Sequence, residues 1–287
     1  MPEGHALHRL ADDLSSTFAG GHVRASSPQG RFAVAAAGLD RHLLLGAEAW
    51  GKQLFIAFED ERFVHVHLGL YGTFAIDVAP TVDDEVPAPV GQVRLRLERP
   101  ASSTRTAAWA DLRGPARCAL ATPGERDEVV ARLGPDPLRE DADPDRAWAR
   151  ISRSSAPIGT LLMDQSVLAG VGNVYRAEVL FRHHLDPLRP GRTLRASQWQ
   201  AMWDDLAGLM ADGVAANRID TVRPEHAHDR EEHRGGAHDC AGDVYVYRRA
   251  SRPCFVCGAS VRTQVLGGRN LFWCPRCQPA FRSRAGR

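Results

Sequence analysis

The 287 residues are too many for one minimal core and point to two domains with a small appended module. The hydrophobic fraction of 44% and the net charge of +1 are those of an ordinary globular chain, and no run of 18 or more apolar residues is present to serve as a membrane-spanning helix. The N-terminus MPEGHALHRLADD carries charge where a secretory signal is apolar, so a cytoplasmic protein with reduced thiols is expected.

Ala6, Leu7, Leu10, Leu14 and Phe18 form a helical stripe over residues 4–18, with Pro2 suited to the helix start and Gly20-Gly21 to its stop. Residues 22 to about 120 read as strands. Segments 53–58 and 62–68 flank Glu59-Asp60-Glu61 as a hairpin, and 94–98 alternates cleanly. Residues 78–90, with three prolines and an acidic run, read as a loop. Several short strands with regular turns imply a β-sandwich or barrel. Residues 134–144 read as a linker that ends with Asp143 as N-cap and Pro144 at the first helical position. Helices are expected over 157–165 and 173–183, with Gly170 and Gly172 between them. A longer helix over 197–213 would bury Trp199, Met202, Trp203, Leu206 and Met210. Residues 218–243 are polar and read as a mobile loop. No internal repeat is seen.

The charge is unevenly placed. Residues 244–287 hold nine arginines and no acid, while acids gather at 83–85 and 140–145. Such a basic end on a balanced body suits a polyanion. A solvated basic tail is the plainer reading, but the cysteines and aromatics in that stretch oppose it. Of the 36 Lys and Arg residues, Lys52 is the single lysine. Guanidinium stays charged at any useful pH, whereas an amine can lose its proton, so a site that needs a titratable amine would resist replacement. Lys52 is therefore a catalytic candidate on composition alone.

Cys254-x2-Cys257, sixteen residues, then Cys274-x2-Cys277 is the spacing of a four-thiolate zinc site, with a hairpin expected across 260–273. Four protein thiolates leave no open position for water, so one structural Zn2+ is expected in a zinc ribbon. Disulfide pairing is the alternative. Cys240 lies beside His226, His228, His233 and His238, where a second metal or a solvated loop are both open readings. Gly170-Val171-Gly172-Asn173 places a tight turn before a helix N-terminus, with Asn173 as the cap residue. Backbone amides there suit a phosphate, though an ordinary turn has the same signature.

Three segments in register, MPEGH, LLMDQSVLAGVGNVYRAEVL and GGRNLFWCPRCQ, resemble the Fpg/Nei DNA glycosylases over essentially the whole chain. The likeness is greatest to the Nei-like, endonuclease VIII branch and to actinobacterial members that begin MPEGH. It implies an α+β multidomain fold: an N-terminal helix plus β-sandwich catalytic domain over 1–130, a helix-two-turns-helix DNA-binding domain over 131–243, and a zinc ribbon over 244–287. It implies a bifunctional DNA glycosylase and AP lyase of base excision repair, monomeric and nucleoid-associated. The partner would be damaged double-stranded DNA, or single-stranded or bubble DNA.

By the same resemblance Pro2 is the nucleophile once Met1 is removed, Glu3 is the general acid/base, and Lys52 is a strand lysine for phosphate contact and proton transfer. Arg269, also counted as catalytic, sits at the tip of the zinc hairpin, holds the phosphates flanking the lesion and assists δ-elimination. Asn173, His67 and Arg132 contact phosphates, and Leu70 and Tyr71 fill the void left by an everted nucleotide. For Leu70 and Tyr71 the plainer reading is core residues at a strand end. Where Fpg members carry an arginine–phenylalanine wedge, this chain reads Asp111-Leu112-Arg113-Gly114-Pro115-Ala116. The missing phenylalanine favours oxidised pyrimidines, while His67-Leu68-Gly69 is nearer the Fpg pattern and leaves 8-oxoguanine and formamidopyrimidines as the alternative substrates. A catalytically silent lesion-binding protein is the alternative of another class.

Overall fold

The computed structural model describes residues 2–226 and 243–282, and the chain divides into two compact units, Met1–Arg132 and Leu133–Arg287.

The first unit opens with α1 (Gly4–Phe18), which buries the expected stripe of Leu7, Leu10, Leu14 and Phe18. Pro2 lies outside the helix, and Glu3 takes the N-cap position. Eight strands follow: β1 (Gly21–Ser26), β2 (His42–Trp50), β3 (Gln53–Phe58), β4 (Arg62–His67), β5 (Thr73–Val78), β6 (Val93–Arg99), β7 (Ala108–Arg113) and β8 (Arg117–Ala121). They pair antiparallel in the order β5-β7-β6-β1-β2-β3-β4-β8. Strand β1 serves two leaves. Gly21, His22 and Val23 pair with β2, and Arg24, Ala25 and Ser26 pair with β6. Leu54, Ile56, Phe58, Val64 and Val66 from one leaf share a core with Leu95, Leu97, Ala110 and Leu112 from the other, together with α1. These alternate positions turn one face of each leaf to the shared core, while Phe55, His65, Arg96 and Asp111 are buried on the opposite faces.

Two short helices are unexpected: one falls within the stretch read as strands, the other between that stretch and the expected linker. The helix α2 (Ala33–Ala37) interrupts the strands. The helix α3 (Pro123–Ala131) starts with a capping box, in which the Glu125 amide donates to Thr122 Oγ1 at 3.3 Å and the Thr122 amide donates to Glu125 Oε2 at 2.8 Å. The loop after β5 is tied down by a polar network on the outer face. Arg96, only 1% exposed, donates to Glu98 at 2.6 Å, to Asp111 at 3.4 Å and to the Pro87 carbonyl.

The second unit holds α4 (Pro144–Ile151), α5 (Ile158–Leu161), α6 (Asn173–Arg182), α7 (Ala196–Ala216), β9 (Arg262–Leu266) and β10 (Arg269–Trp273). Asp143 caps α4 through the Asp145 amide at 2.9 Å, as its sequence indicates. The expected helix over 157–165 is a single turn instead. The Gln165 side chain donates to the Met163 and Val171 carbonyls at 3.1 and 2.9 Å and accepts the Gly170 amide at 3.0 Å, which holds residues 163–171 in successive turns. All five expected apolar residues of α7 are buried. Tyr245, Val246, Tyr247, Cys254, Val261, Phe272 and Cys274 join the core of these helices, so the zinc module shares its hydrophobic interior with them. His228, His233, His238 and Cys240 lie outside the described residues, so the second-metal reading finds no test there. Among the described residues no helix is long and apolar enough to cross a membrane.

Candidate active site and zinc centre

In the first unit the candidate residues lie at the start of α1, in the turn between β2 and β3, and at the end of β4. Pro2 is partly exposed and Glu3 is fully buried. An N-cap carboxylate ordinarily accepts an amide of the first turn, but the Glu3 side chain does not cap α1. Lys52 is not on a strand as expected. Trp50 pairs with Gln53, which leaves Gly51-Lys52 as the two-residue hairpin turn, with Gly51 at φ +60° as such a turn requires. The turn sets the lysine beyond the sheet. Its charge is felt at His67, whose imidazole is held below its ordinary pKa first by burial and then by Lys52. One strand pair inward, His65 Nε2 meets Gln53 Oε1 at 2.8 Å and its ring stacks on Phe55 at 4.6 Å. Burial lowers the pKa of His65 to about 4, with Arg117 and His67 adding to the effect.

The loop 68–72 is built without slack. A Cβ on Gly72 would stand 2.3 Å from the Leu68 carbonyl oxygen, and one on Gly69, at φ +71°, would stand 2.8 Å from Ala116 Cβ. The tight backbone turns Leu70 and Tyr71 outward. Tyr71 is 89% exposed, so it is no core residue. Arg113, in the segment lacking a phenylalanine, donates to Asp111 at 2.8 Å and to the Val90 carbonyl. Arg132 is exposed and pairs with Glu128 at 3.4 Å.

In the second unit Asn173 is the first residue of α6, and Gly172 is the N-cap. The side chain of Asn173 therefore does not cap. It is buried and donates through Nδ2 to the Asn270 carbonyl at 3.0 Å. The hairpin of β9 and β10 turns at Gly267-Gly268, both at positive φ, and Arg269 follows at its tip, exposed and paired with Leu266. Two buried charged residues of α6, Arg176 and Glu178, are unmarked by motif reading. Their only signal is position: every residue from Asn173 to Phe181 is buried, so charges in that run must be paired.

The four cysteine sulfurs lie within 4.8 Å of one another, with Cys254 and Cys277 at 3.8 Å and Cys257 and Cys274 at 3.4 Å. Zinc–sulfur bonds of about 2.3 Å in a tetrahedron require sulfurs about 3.8 Å apart. A disulfide requires about 2.05 Å, so pairing is excluded by this geometry. The donor set fits one structural zinc ion. Gln278 bolts the site to the helices, accepting the Cys274 amide at 3.0 Å and donating to the Leu185 carbonyl at 2.9 Å.

Comparison with known proteins agrees segment by segment. Residues 1–118 match the formamidopyrimidine-DNA glycosylase N-terminal domain, 133–223 its H2TH domain, and 252–280 the zinc finger found in FPG and IleRS. The chain is 53% identical to Endonuclease 8 1 of Mycobacterium tuberculosis over 97% of its own length and all of that protein. It is 29% identical to the formamidopyrimidine-DNA glycosylase of Thermomicrobium roseum, covering 97% and 98% of the two chains. The crystal structure of MutM (Fpg) from Thermus thermophilus superposes with a TM-score of 0.71 at 26% identity, over 96% of this chain and 98% of that one. The Lactococcus lactis Fpg complex with abasic-site DNA shares the fold at a TM-score of 0.72 and 19% identity, over 97% of this chain and 100% of that one. The chain belongs to the Fpg/Nei family of base excision repair enzymes, DNA glycosylases with AP lyase activity.

Proposed function

We propose that the chain removes oxidised bases from damaged duplex DNA, pyrimidines in preference, through a Schiff base on Pro2, and then cuts the strand by β,δ-elimination. The observation that carries this reading is the pair Pro2–Glu3: a partly exposed proline directly before a fully buried carboxylate at the head of α1. With Met1 removed, Pro2 carries a secondary amine with a pKa of about 8, so a useful fraction is neutral near pH 7. That nitrogen attacks C1′ of an everted nucleotide, the C1′–N bond breaks, and the base leaves with a proton while an iminium remains. Glu3 protonates the opening sugar ring and later moves protons. Lys52 assists removal of the C2′ proton as the 3′ phosphate departs, and a second elimination expels the 5′ phosphate.

Arg269, Asn173, His67 and Arg132 grip backbone phosphates, and Leu70 and Tyr71 fill the gap in the stack. Residues 1–130 carry the chemistry, while 131–243 and 244–287 carry most of the grip. The enzyme acts as a monomer at the nucleoid. The pyrimidine preference is supported by the missing phenylalanine in 111–116 and by Arg113 being engaged with Asp111 and Val90. The name Endonuclease 8 1 borne by its relatives points the same way. The His67-Leu68-Gly69 segment favours the second reading, an 8-oxoguanine or formamidopyrimidine preference.

Borohydride trapping on abasic-site DNA followed by peptide mass mapping tests the chemistry. An adduct on residue 2 is expected. An adduct on Lys52, or tight binding with no adduct, overturns it. Side-by-side excision of thymine glycol, 5-hydroxyuracil and 8-oxoguanine from defined duplexes decides the substrate.

A further inference from the structure

Arg176 is 1% exposed, in the middle of α6, and its guanidinium ties three elements together. Nη1 donates to the Gly159 carbonyl of α5 at 3.3 Å. Nη2 donates to Asn173 Oδ1 and, at 3.3 Å, to the Asn270 carbonyl of β10. The same Asn270 carbonyl accepts Asn173 Nδ2 at 3.0 Å. The consequence for Asn173 is an orientation. Its oxygen must face the guanidinium, since a flipped amide would set NH2 against a cation, so its NH2 faces the hairpin. The consequence for the hairpin is a seat. Asn270 is the neighbour of Arg269, and its carbonyl is held from two side chains. On the other strand a Cβ on Gly159 would come within 3.3 Å of Leu266 Cδ2, so the turn carrying Arg269 rests directly on α5.

We infer that Arg176 is a positioning residue for the phosphate grip: it sets the Asn173 amide and seats β10 so that Arg269 stands at a fixed place beside it. The inference rests on the proposed DNA-binding roles of Asn173 and Arg269. A charged residue is suited to this task because a guanidinium offers several donors in a rigid plane and can satisfy carbonyls on separate elements at once. An ammonium in its place could reach fewer of them.

The test is a double-mutant cycle in the full zinc-loaded protein, read by binding to a duplex with a tetrahydrofuran abasic-site analogue and by single-turnover borohydride trapping. Arg176→Met and Arg269→Ala are each expected to raise Kd by about tenfold, and the double variant by clearly less than the product of the two, because the first residue acts in part through the second and in part through Asn173. Arg176→Lys should fall between wild type and Arg176→Met. The trapping rate at saturating enzyme should fall much less than the affinity. Losses that multiply to about a hundredfold, or an Arg176→Met variant that binds as wild type does, overturn the inference. Loss of the single zinc ion in both Arg176 variants also overturns it, since the residue is then scaffold alone. If wild type binds the duplex yet never traps, the Schiff-base reading fails while the coupling between residues 176 and 269 is still read from Kd.

Discussion

The Glu178 carboxylate of α6 accepts the backbone amide of Tyr245 at 2.6 Å inside the core, 67 residues away along the chain. It also accepts the amides of Val246 and Tyr247 at 2.9 and 2.8 Å and the Thr221 hydroxyl at 2.7 Å. One fully buried group thus joins the stretches on either side of residues 227–242 to the helix that bears Asn173. Three successive amides turned to one carboxylate form an anion-accepting nest.

Removing that acceptor strands several buried donors. Glu178→Ala is expected to lower stability by about 3–5 kcal/mol, with Glu178→Gln costing less because its carbonyl oxygen still accepts. Denaturant unfolding of the zinc-loaded protein measures both. A loss under about 1 kcal/mol for the alanine variant would show the nest to be dispensable.

Acid should weaken the fold in a defined window. Burial lowers the pKa of both His5 and His65 from 6.5 to about 4. The unfolded chain then binds more protons than the folded one between those values, so stability is full above pH 6.5 and falls as pH drops toward 4. A shift of that size is worth up to about 3 kcal/mol per histidine. Thermal melts at steps from pH 7.5 to 4 should show the decline, and His65→Phe should make it shallower. An unchanged slope in that variant would remove His65 from the account.

Tyr71 separates stability from activity. Because it is 89% exposed on a rigid loop, Tyr71→Ala should leave unfolding within about 0.5 kcal/mol of wild type. Excision from duplex DNA should nevertheless fall by about tenfold, since the gap in the stack is then poorly filled. Equal excision rates for the two proteins would end the wedge assignment.

Lys52→Arg keeps the charge and removes the titratable amine. Strand cleavage at a preformed abasic site is expected to fall by about a hundredfold while Kd for the duplex changes little. If cleavage survives and binding is lost, Lys52 holds phosphate and moves no proton.

Chelation of zinc should open the module that shares its core with the helices. The four thiolates would repel one another, and Cys254 and Cys274 would leave a core they now help to fill. Limited proteolysis is expected to cut within 244–282 after chelation, while Gly4–Phe18 and the strands up to Ala121 stay protected. Protection of 244–282 after full zinc loss would show that packing alone holds it.

Local chemistry in the sequence was enough for the α1 stripe, the 53–58 and 62–67 hairpin, the Asp143-Pro144 cap, the apolar face of α7 and the cysteine spacing. Each depends on residues only a few positions apart, or on a metal that demands one donor pattern. The T-P-G-E capping box of α3 is equally local, a start signal carried by Thr122 and Glu125 alone. The candidate site was legible as a set of residue types, Pro2, Glu3, Lys52, Arg269 and Asn173, through motif and resemblance. Their setting was not. That Asn173 is already bonded to Asn270 follows from where a carbonyl 97 residues away arrives. That Lys52 occupies a turn and that α5 stops after one turn are local outcomes, set by the Trp50–Gln53 pairing and by the Gln165 side chain, that no motif marks. An arginine or glutamate inside a helix reads from sequence as a solvated face. Arg176 and Glu178 are instead buried, with partners 94 and 67 residues away, because only packing brings those partners within hydrogen-bond reach.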